Sequence, residues 1–316
     1  MRKKNRLFYT TGNQDIVETT YKLPKLTGDD VKVKSIYTGV CRSDVAMYNG
    51  DFITLPKEIQ GHECLGVITE VANPDIGFKV GDYVATRGEP GFADEYIAKY
   101  GTYVKVPEAD PKYIIEPVAC GINIVDNYLR MFMGQPKTFF KRKKYLIIGT
   151  GFLAQVVYKT LEFALPSKPN VYVIGKSNKK FWNKTKCTFL TQKDLDNGNF
   201  IFDAVFDISS DPKYINELDM LKTNGVHLIC AEKTENMNVD TSKMLWENKK
   251  ILFPSPRDAS FIDSMVLGVE LVRDGTIDTS TLWTTEYDRD TQLEQAFEDA
   301  NDRSKTYSRG YIKWQQ

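Results

Sequence analysis

The sequence has little of several features that mark particular classes of protein. Lys plus Arg and Asp plus Glu number 42 each among 316 residues, so no net charge is available to attract nucleic acid or an anionic membrane. No run of about 18 apolar residues occurs, which argues against a membrane-spanning helix. We therefore expect a protein with neither a nucleic-acid nor a membrane partner.

Cysteine is also scarce, and its placement argues against a disulfide framework. The chain has five cysteines, an odd number, with no regular spacing between them. The basic N-terminal residues are followed by no apolar stretch of the kind found in a signal peptide. Both observations favour a reducing, cytoplasmic location.

The spacing of apolar residues divides the chain into three parts. Up to Pro117, β-branched runs alternate with turn signals such as Asn49-Gly50, which is typical of a β-rich region. From 118 to 255, strand-like runs alternate with helical patterns, which predicts a doubly wound parallel sheet. A mixed tail follows. We predict an α/β protein in which residues 118–255 form one domain and residues 1–117 and 256–316 form the other.

A glycine-rich turn lies between the first strand and the first helix of the predicted parallel sheet. Gly149, Gly151 and Ala154 form a G-x-G-x-x-A pattern after YLIIG. The first glycine permits a tight turn, the second lets the backbone approach a pyrophosphate, and the alanine allows the helix to pack closely on the strand. The N-terminus of the helix then offers N–H groups and a positive dipole end to the phosphates. This predicts a dinucleotide-binding Rossmann domain, the alternative being ordinary turn glycines.

The end of the second strand indicates which dinucleotide is bound. NAD sites commonly place a carboxylate there to bind the ribose 2′-hydroxyl, whereas this chain has Gly175 followed by Lys176 and Ser177. Cationic and hydroxyl groups suit a 2′-phosphate, so NADP(H) is expected and Gly175→Asp should favour NAD(H). The alternative is a solvated lysine-rich surface loop.

Two segments of the first part carry groups that could bind a metal. GVCRSD supplies Cys41, GHE supplies His62 and Glu63, and a later segment supplies Glu116. Cysteine, histidine and carboxylate are the donors of a catalytic zinc, which keeps one position open. Asp44 could orient the imidazole through its second nitrogen. From the residues alone, a buried cysteine and a surface His–Glu pair remain equally good interpretations.

Several motifs together resemble the medium-chain dehydrogenase/reductase superfamily, which includes the zinc alcohol and polyol dehydrogenases. They are GVCRSD, GHE, GDYV, GFADEY and GTGFLA, in this order along the chain. The resemblance implies a GroES-like β-rich catalytic domain beside the Rossmann domain. It implies that Cys41 and His62 bind zinc, and that Glu63 or Glu116 completes the ligand shell directly or through water.

The same resemblance implies further roles. Ser43 matches the hydroxyl that exchanges a proton with the substrate oxygen, and Arg42 and Arg309 match residues that contact the cofactor pyrophosphate. A homodimer or homotetramer is expected. The four-cysteine lobe of many members is missing, because only ATRGEP separates GDYV from GFADEY. We therefore expect one catalytic zinc and no structural zinc.

The C-terminal half carries a narrower resemblance. VYVIGKSNKKF, FDAVFDIS and AFEDANDRSKTYSRGYIKW are similar to NADPH-dependent ribulose-5-phosphate reductases of teichoic-acid and capsule synthesis. The expected activity is zinc-dependent, NADP(H)-linked interconversion of a ketone or aldehyde and an alcohol. A sugar, polyol or sugar phosphate is the expected substrate. The alternatives are a simple alcohol/aldehyde reductase and a catalytically silent NADPH-binding protein.

Overall fold

The computed structural model describes residues 4–51, 53–210, 220–233, 238–280, 282–302 and 309–314. The chain forms two compact units, one of Met1–Ala119 with Ile262–Gln316 and the other of Cys120–Phe261. Within the described part of the chain, no helix is long and apolar enough to cross a membrane.

The first unit is rich in β-structure. Its strands are β1 (Arg6–Thr10), β2 (Ile16–Thr20), β3 (Val31–Gly39), β4 (Cys64–Val71), β5 (Tyr83–Thr86), β6 (Glu95–Ala98), β7 (Tyr103–Lys105), β14 (Thr285–Asp288) and β15 (Gly310–Lys313). Its helices are α1 (Arg42–Asn49), α8 (Leu293–Asn301) and most of α7 (Phe261–Arg273). Short 3₁₀ turns cover Lys57–Ile59, Pro74–Ile76 and Pro111–Tyr113.

The main sheet of this unit joins the two ends of the chain. Its order is β14-β15-β3-β4-β5-β7, β6 also pairs with β3, and β1 and β2 form a separate antiparallel pair. β3 alternates buried and half-buried residues over its first half, with Val31 and Val33 fully buried, because successive side chains point to opposite faces of a strand. The C-terminal strand β15 pairs with the end of β3, which stops two residues before Cys41.

The second unit is a six-stranded parallel sheet with helices. Its strands are β8 (Lys144–Ile148), β9 (Asn170–Ile174), β10 (Thr188–Leu190), β11 (Phe202–Asp207), β12 (Leu221–Ile229) and β13 (Lys250–Leu252). Its helices are most of α2 (Glu116–Arg130), then α3 (Phe152–Ala164), α4 (Lys179–Trp182), α5 (Gln192–Asn197) and α6 (Thr241–Trp246), with a 3₁₀ turn at Lys137–Phe140.

The strands are ordered β10-β9-β8-β11-β12-β13 across the sheet. From β8, the chain builds the sheet outward to β10 on one side and then, from β11, outward to β13 on the other. Apolar clusters cover both faces, with Ile147 and Phe206 in one and Leu146 and Val205 in the other. Burial on both faces explains the nearly continuous apolar runs of these strands. In open α/β sheets, ligands bind outside the carboxyl ends of the strands where the order reverses, here between β8 and β11. The predicted α/β class and the doubly wound parallel sheet are confirmed.

Candidate functional site

Three donor side chains of the first unit come together beside the end of β3. The candidate ligand atoms of Cys41, His62 and Glu63 all lie within 4.8 Å of one another. Cys41 caps the N-terminus of α1, and its N–H donates to the Asp44 carboxylate at 2.9 Å. Glu63 is brought to the same place because the Gly39 N–H donates to its carbonyl oxygen at 2.8 Å.

A left-handed glycine directs the chain to His62. Gly61 has φ +74°, and a β-carbon there would lie 2.6 Å from the Phe92 ring. The neighbouring Gln60 side chain is buried, accepts the Thr10 N–H at 2.9 Å, and donates to the carbonyl oxygens of Thr10 and Leu55. These contacts fix the segment that carries His62 and Glu63. Gln60 could not be predicted from the sequence, because nothing in its local pattern indicates a partner fifty residues away.

Glu63 forms an ion pair with Arg309, whose guanidinium also lies over the Trp283 ring at 5.2 Å from its centroid. Glu63 is 1 % exposed, and its Oε2 has no hydrogen-bond partner among the residues that the structure describes. A buried carboxylate oxygen without a donor is costly. A cation bound between the sulfur, the imidazole and this oxygen would satisfy it. The donor set of thiol, imidazole and carboxylate therefore fits zinc.

The cluster is electrostatically suited to a cation. Burial alone would raise the pKa of the Cys41 thiol, but the hydrogen bond from His62 and the charges of His62 and Arg309 outweigh it and lower that pKa. Burial disfavours a charged His62, yet the charge of Asp44 and the contact with Cys41 raise its pKa to about 10. Burial raises the pKa of Asp44. Because anionic groups surround the imidazole, a bound metal ion would take the place of the proton that they attract.

The remaining residues predicted for this site lie as follows. Asp44 Oδ1 is 4.0 Å from His62 Nδ1. Ser43 is half-buried in the first turn of α1. Glu116 is buried at the start of α2 and lies outside the three-residue group, although its charge contributes to the raised pKa of His62. Arg42 donates to the Ala300 carbonyl oxygen at the end of α8.

The glycine-rich turn of the second unit connects β8 to α3. Gly149 has φ +117°, which favours glycine, and its N–H donates to the Ile174 carbonyl oxygen at 2.8 Å. Gly151 has an ordinary φ of −79°, and a β-carbon there would meet no described atom within 4 Å. The protein itself therefore does not require glycine at 151, whereas a bound pyrophosphate approaching this backbone would. Ala154 is fully buried, as close helix–strand packing requires.

The loop after β9 packs against the same turn. Gly175 follows the strand, and Lys176 and Ser177 are exposed beyond it. The Ser177 N–H donates to Thr150 Oγ1 at 3.2 Å, and the Asn178 side chain donates to the Thr150 carbonyl oxygen at 3.0 Å. Thr150 was missed in the sequence analysis, because it occupies a variable position of the G-x-G pattern. An exposed lysine and an exposed serine therefore lie beside the glycine-rich turn.

A cavity of about 350 Å³ lies at the carboxyl ends of β12 and β13 in the same unit. It is lined by residues 229–233 and 253–256 and falls within the usual size range of small-molecule sites. Lys233 in its wall pairs with the buried Asp207 at 2.7 Å. The cavity is on the far side of the strand reversal from Gly175, where the second half of a dinucleotide would lie.

Known proteins resemble this chain in sequence and fold. Residues 27–115 match the family model of the alcohol dehydrogenase GroES-like domain. A probable cinnamyl alcohol dehydrogenase of Pinus radiata is 25% identical over an alignment of 296 positions that covers 78% of this chain and 78% of the relative. The sorbitol dehydrogenase of Mus musculus is 37% identical over 101 residues, 30% of this chain and 28% of the relative.

Among solved structures, TarJ of S. aureus in complex with NADPH superposes with a TM-score of 0.78 at 19% identity, covering 99% of each chain. At this identity the superposition shows the fold, which confirms the predicted pairing of a GroES-like and a Rossmann-type sheet. The relatives identified by sequence are dehydrogenases. Together, the matched GroES-like domain, the dehydrogenase relatives and the shared fold support the medium-chain dehydrogenase/reductase superfamily and an oxidoreductase of the alcohol and polyol dehydrogenase type.

Proposed function

We propose that the chain is a zinc-dependent, NADP(H)-linked oxidoreductase that interconverts a ketone or aldehyde and an alcohol. The observation that carries the proposal is the Cys41–His62–Glu63 cluster, with its buried and unpartnered carboxylate oxygen. A chance group of three polar residues would have no reason to bury Glu63 with one oxygen unsatisfied. We assign one zinc ion to each chain.

The chemistry that zinc and NADP(H) supply when bound is Lewis-acid polarisation of a carbonyl oxygen and hydride transfer. The residues around them have separate tasks. Asp44 orients the His62 imidazole, and Arg309 fixes one oxygen of Glu63 and balances its charge. Ser43, two residues after Cys41, supplies the hydroxyl that exchanges a proton with the substrate oxygen.

For the cofactor, we propose NADP(H) with its pyrophosphate at Gly149–Ala154 and its 2′-phosphate beside Lys176 and Ser177. The absence of a carboxylate at 175 removes the usual partner of the ribose 2′-hydroxyl. The shared fold with the NADPH complex of TarJ supports the same choice. We place the nicotinamide half of the cofactor in the cavity beside β12 and β13.

For the substrate, we propose a sugar, polyol or sugar phosphate, with ribulose 5-phosphate and ribitol 5-phosphate as the first pair to test. The similarity to a sorbitol dehydrogenase supports a polyol. The narrower resemblance of the C-terminal half supports the phosphorylated pentose.

The proposal is tested by measuring zinc content and NADPH oxidation on wild type, Cys41→Ala and the matched control Cys187→Ala. Cys187 is half-buried in the second unit and belongs to no described donor cluster. We expect about one zinc per chain in wild type and the control, and loss of both zinc and turnover in Cys41→Ala. NADPH should still bind to all three proteins.

The substrates offered are ribulose 5-phosphate, unphosphorylated ketoses and short aldehydes. Turnover of ribulose 5-phosphate supports the proposal of a phosphorylated pentose as substrate. Turnover of short aldehydes alone contradicts the proposed substrate but agrees with the proposed zinc-dependent oxidoreductase. A wild-type protein that binds NADPH without zinc contradicts the catalytic proposal. Full turnover by Cys41→Ala does the same.

A further inference from the structure

Thr150 lies between the two glycines of the turn and is held rigidly from several directions. It is 4 % exposed. Its hydroxyl lies 3.1 Å from Ser177 Oγ and accepts the Ser177 N–H at 3.2 Å. Its carbonyl oxygen accepts hydrogen bonds from Asn178 Nδ2 at 3.0 Å and Trp182 Nε1 at 3.1 Å. Since Trp182 is itself buried, Thr150 cannot move without breaking this network.

Gly175 lies directly against the Thr150 side chain. A β-carbon at 175 would be 2.5 Å from Thr150 Cγ2, 2.6 Å from Oγ1 and 3.0 Å from Cβ. Rotation about the Thr150 Cα–Cβ bond changes which atom faces Gly175, but the branched side chain leaves little freedom to clear the space. A residue with a side chain at 175 would therefore force the buried Thr150 side chain to shift.

We propose that Thr150 is a specificity-determining residue of the cofactor site. Its side chain occupies the space from which a carboxylate at 175 would extend, and its hydroxyl holds the Ser177 backbone beside the strand end. The site therefore excludes the acid that recognises a 2′-hydroxyl and keeps the serine available for a 2′-phosphate. This inference rests on the proposed NADP(H) function and deepens it. It also changes the expectation for Gly175→Asp, which alone should disrupt the turn rather than convert the site.

The test compares the dissociation constants of NADPH and NADH, measured by cofactor fluorescence, for wild type, Gly175→Asp, Thr150→Ala/Gly175→Asp and Thr160→Ala/Gly175→Asp. Thr160 provides a matched control, because it is an equally buried threonine of α3 whose hydroxyl donates within its own helix to the Val156 carbonyl oxygen. Thr150→Ala removes the two nearest atoms and keeps Cβ, which lies 3.0 Å from a β-carbon at 175.

We expect Gly175→Asp to bind both cofactors weakly. Thr150→Ala/Gly175→Asp should bind NADH about tenfold more tightly than Gly175→Asp, the gain of a restored hydrogen bond to the ribose. Thr160→Ala/Gly175→Asp should show no such gain. If Gly175→Asp is folded but binds neither cofactor measurably, the same comparison is made on the thermal unfolding midpoint, which Thr150→Ala should raise and Thr160→Ala should not.

Equal NADH affinities and equal midpoints for the two double variants would overturn the inference. An increase of NADH affinity in Gly175→Asp alone would also overturn it, because the space would then be open. A wild-type protein that binds NADH as tightly as NADPH contradicts the proposed cofactor, and the inference falls with it. If wild type prefers NADPH while Thr150→Ala has no effect on the NADH affinity of Gly175→Asp, the role of Thr150 is wrong and the proposed NADP(H) function stands.

Discussion

At the scale of single residues, the two glycines of the turn are glycine for different reasons. Gly149 has φ +117°, a backbone conformation that side chains rarely adopt, so the folded chain itself needs glycine there. Gly151 has an ordinary φ, and a β-carbon added there would have no described neighbour within 4 Å. The fold thus explains the glycine at 149, and the proposed pyrophosphate would explain the glycine at 151.

This difference predicts separable effects of two alanine substitutions. Gly149→Ala should lower the free energy of unfolding by about 1–3 kcal/mol through backbone strain. Gly151→Ala should leave that free energy nearly unchanged and weaken NADPH binding by about tenfold or more, because a methyl group would separate the backbone from the pyrophosphate. Urea unfolding and fluorescence titration measure the two quantities. Unchanged NADPH affinity in folded Gly151→Ala would show that the phosphates bind elsewhere.

Local motifs predicted part of the residue-level picture. The GVCRSD and GHE segments singled out Cys41, His62 and Glu63, which the structure brings within 4.8 Å of one another. The pairing of Glu63 with Arg309 joins residues 246 positions apart, and no local pattern contains it. Arg309 was expected at the pyrophosphate, and that role stays a prediction beside the ion pair that the structure shows.

At the scale of elements, the parallel strands were the easiest to predict. The run YLIIG and the strand β8 (Lys144–Ile148) agree within one residue, because a strand buried on both faces is apolar throughout. β12 begins at Leu221, five residues before the apolar run that starts at Val226. Its polar start holds Asn224 at φ +66°, and the register with β11 shifts there, so the strand is irregular where its sequence is least strand-like.

The β1–β2 hairpin was missed because its polar, half-buried second strand gives a weak pattern.

The segment after β12 is attached to the end of β11 by a buried ion pair. Asp207 is fully buried, accepts the Ser209 N–H at 3.0 Å, and pairs with Lys233, whose side chain is 6 % exposed. Lys233→Met would leave the carboxylate buried without its cation, which costs about 3–5 kcal/mol. We expect a loss of that size in the urea-derived free energy of unfolding.

The matched variant Asp207→Asn/Lys233→Met removes both charges together. It should recover most of the lost stability, because an uncharged pair leaves no buried charge unpaired. Lys222→Met serves as a surface control, since its partner Asp203 keeps the Lys143 ammonium at 3.4 Å. Equal losses for Lys233→Met and Lys222→Met would show that the buried pair has no special role in holding this segment.

At the scale of the whole molecule, the sequence predicted two kinds of sheet, but it could not predict their strand order. β3 pairs with β4 nearby in the chain and with β15 at the far end. The alternation of apolar residues shows that a strand has a buried face without identifying its neighbours. The strand order depends on pairings between residues far apart in the chain, and these are seen only in the folded structure.

The two proposed ligands should therefore leave different marks on hydrogen exchange along the chain. Saturating NADPH at about 100 times its dissociation constant adds about 2.7 kcal/mol to the stability of the unit that binds it. We expect the largest slowing of amide exchange in residues 145–178, which hold the glycine-rich turn and the Thr150–Ser177 contacts. Removing zinc with a chelator should instead speed exchange most in residues 39–64, where Gly39, Cys41 and Glu63 are linked.

Exchange followed by mass spectrometry of peptides resolves both segments in one experiment, and each treatment serves as the control for the other. NADPH that slows exchange most in residues 39–64 would contradict the placement of its phosphates at the turn of the second unit. A chelator without effect on residues 39–64 would contradict the metal site. It would mean that no metal ion had been bound to the buried Glu63 oxygen. Both expected patterns together would assign the cofactor and the metal to separate sheets of one chain.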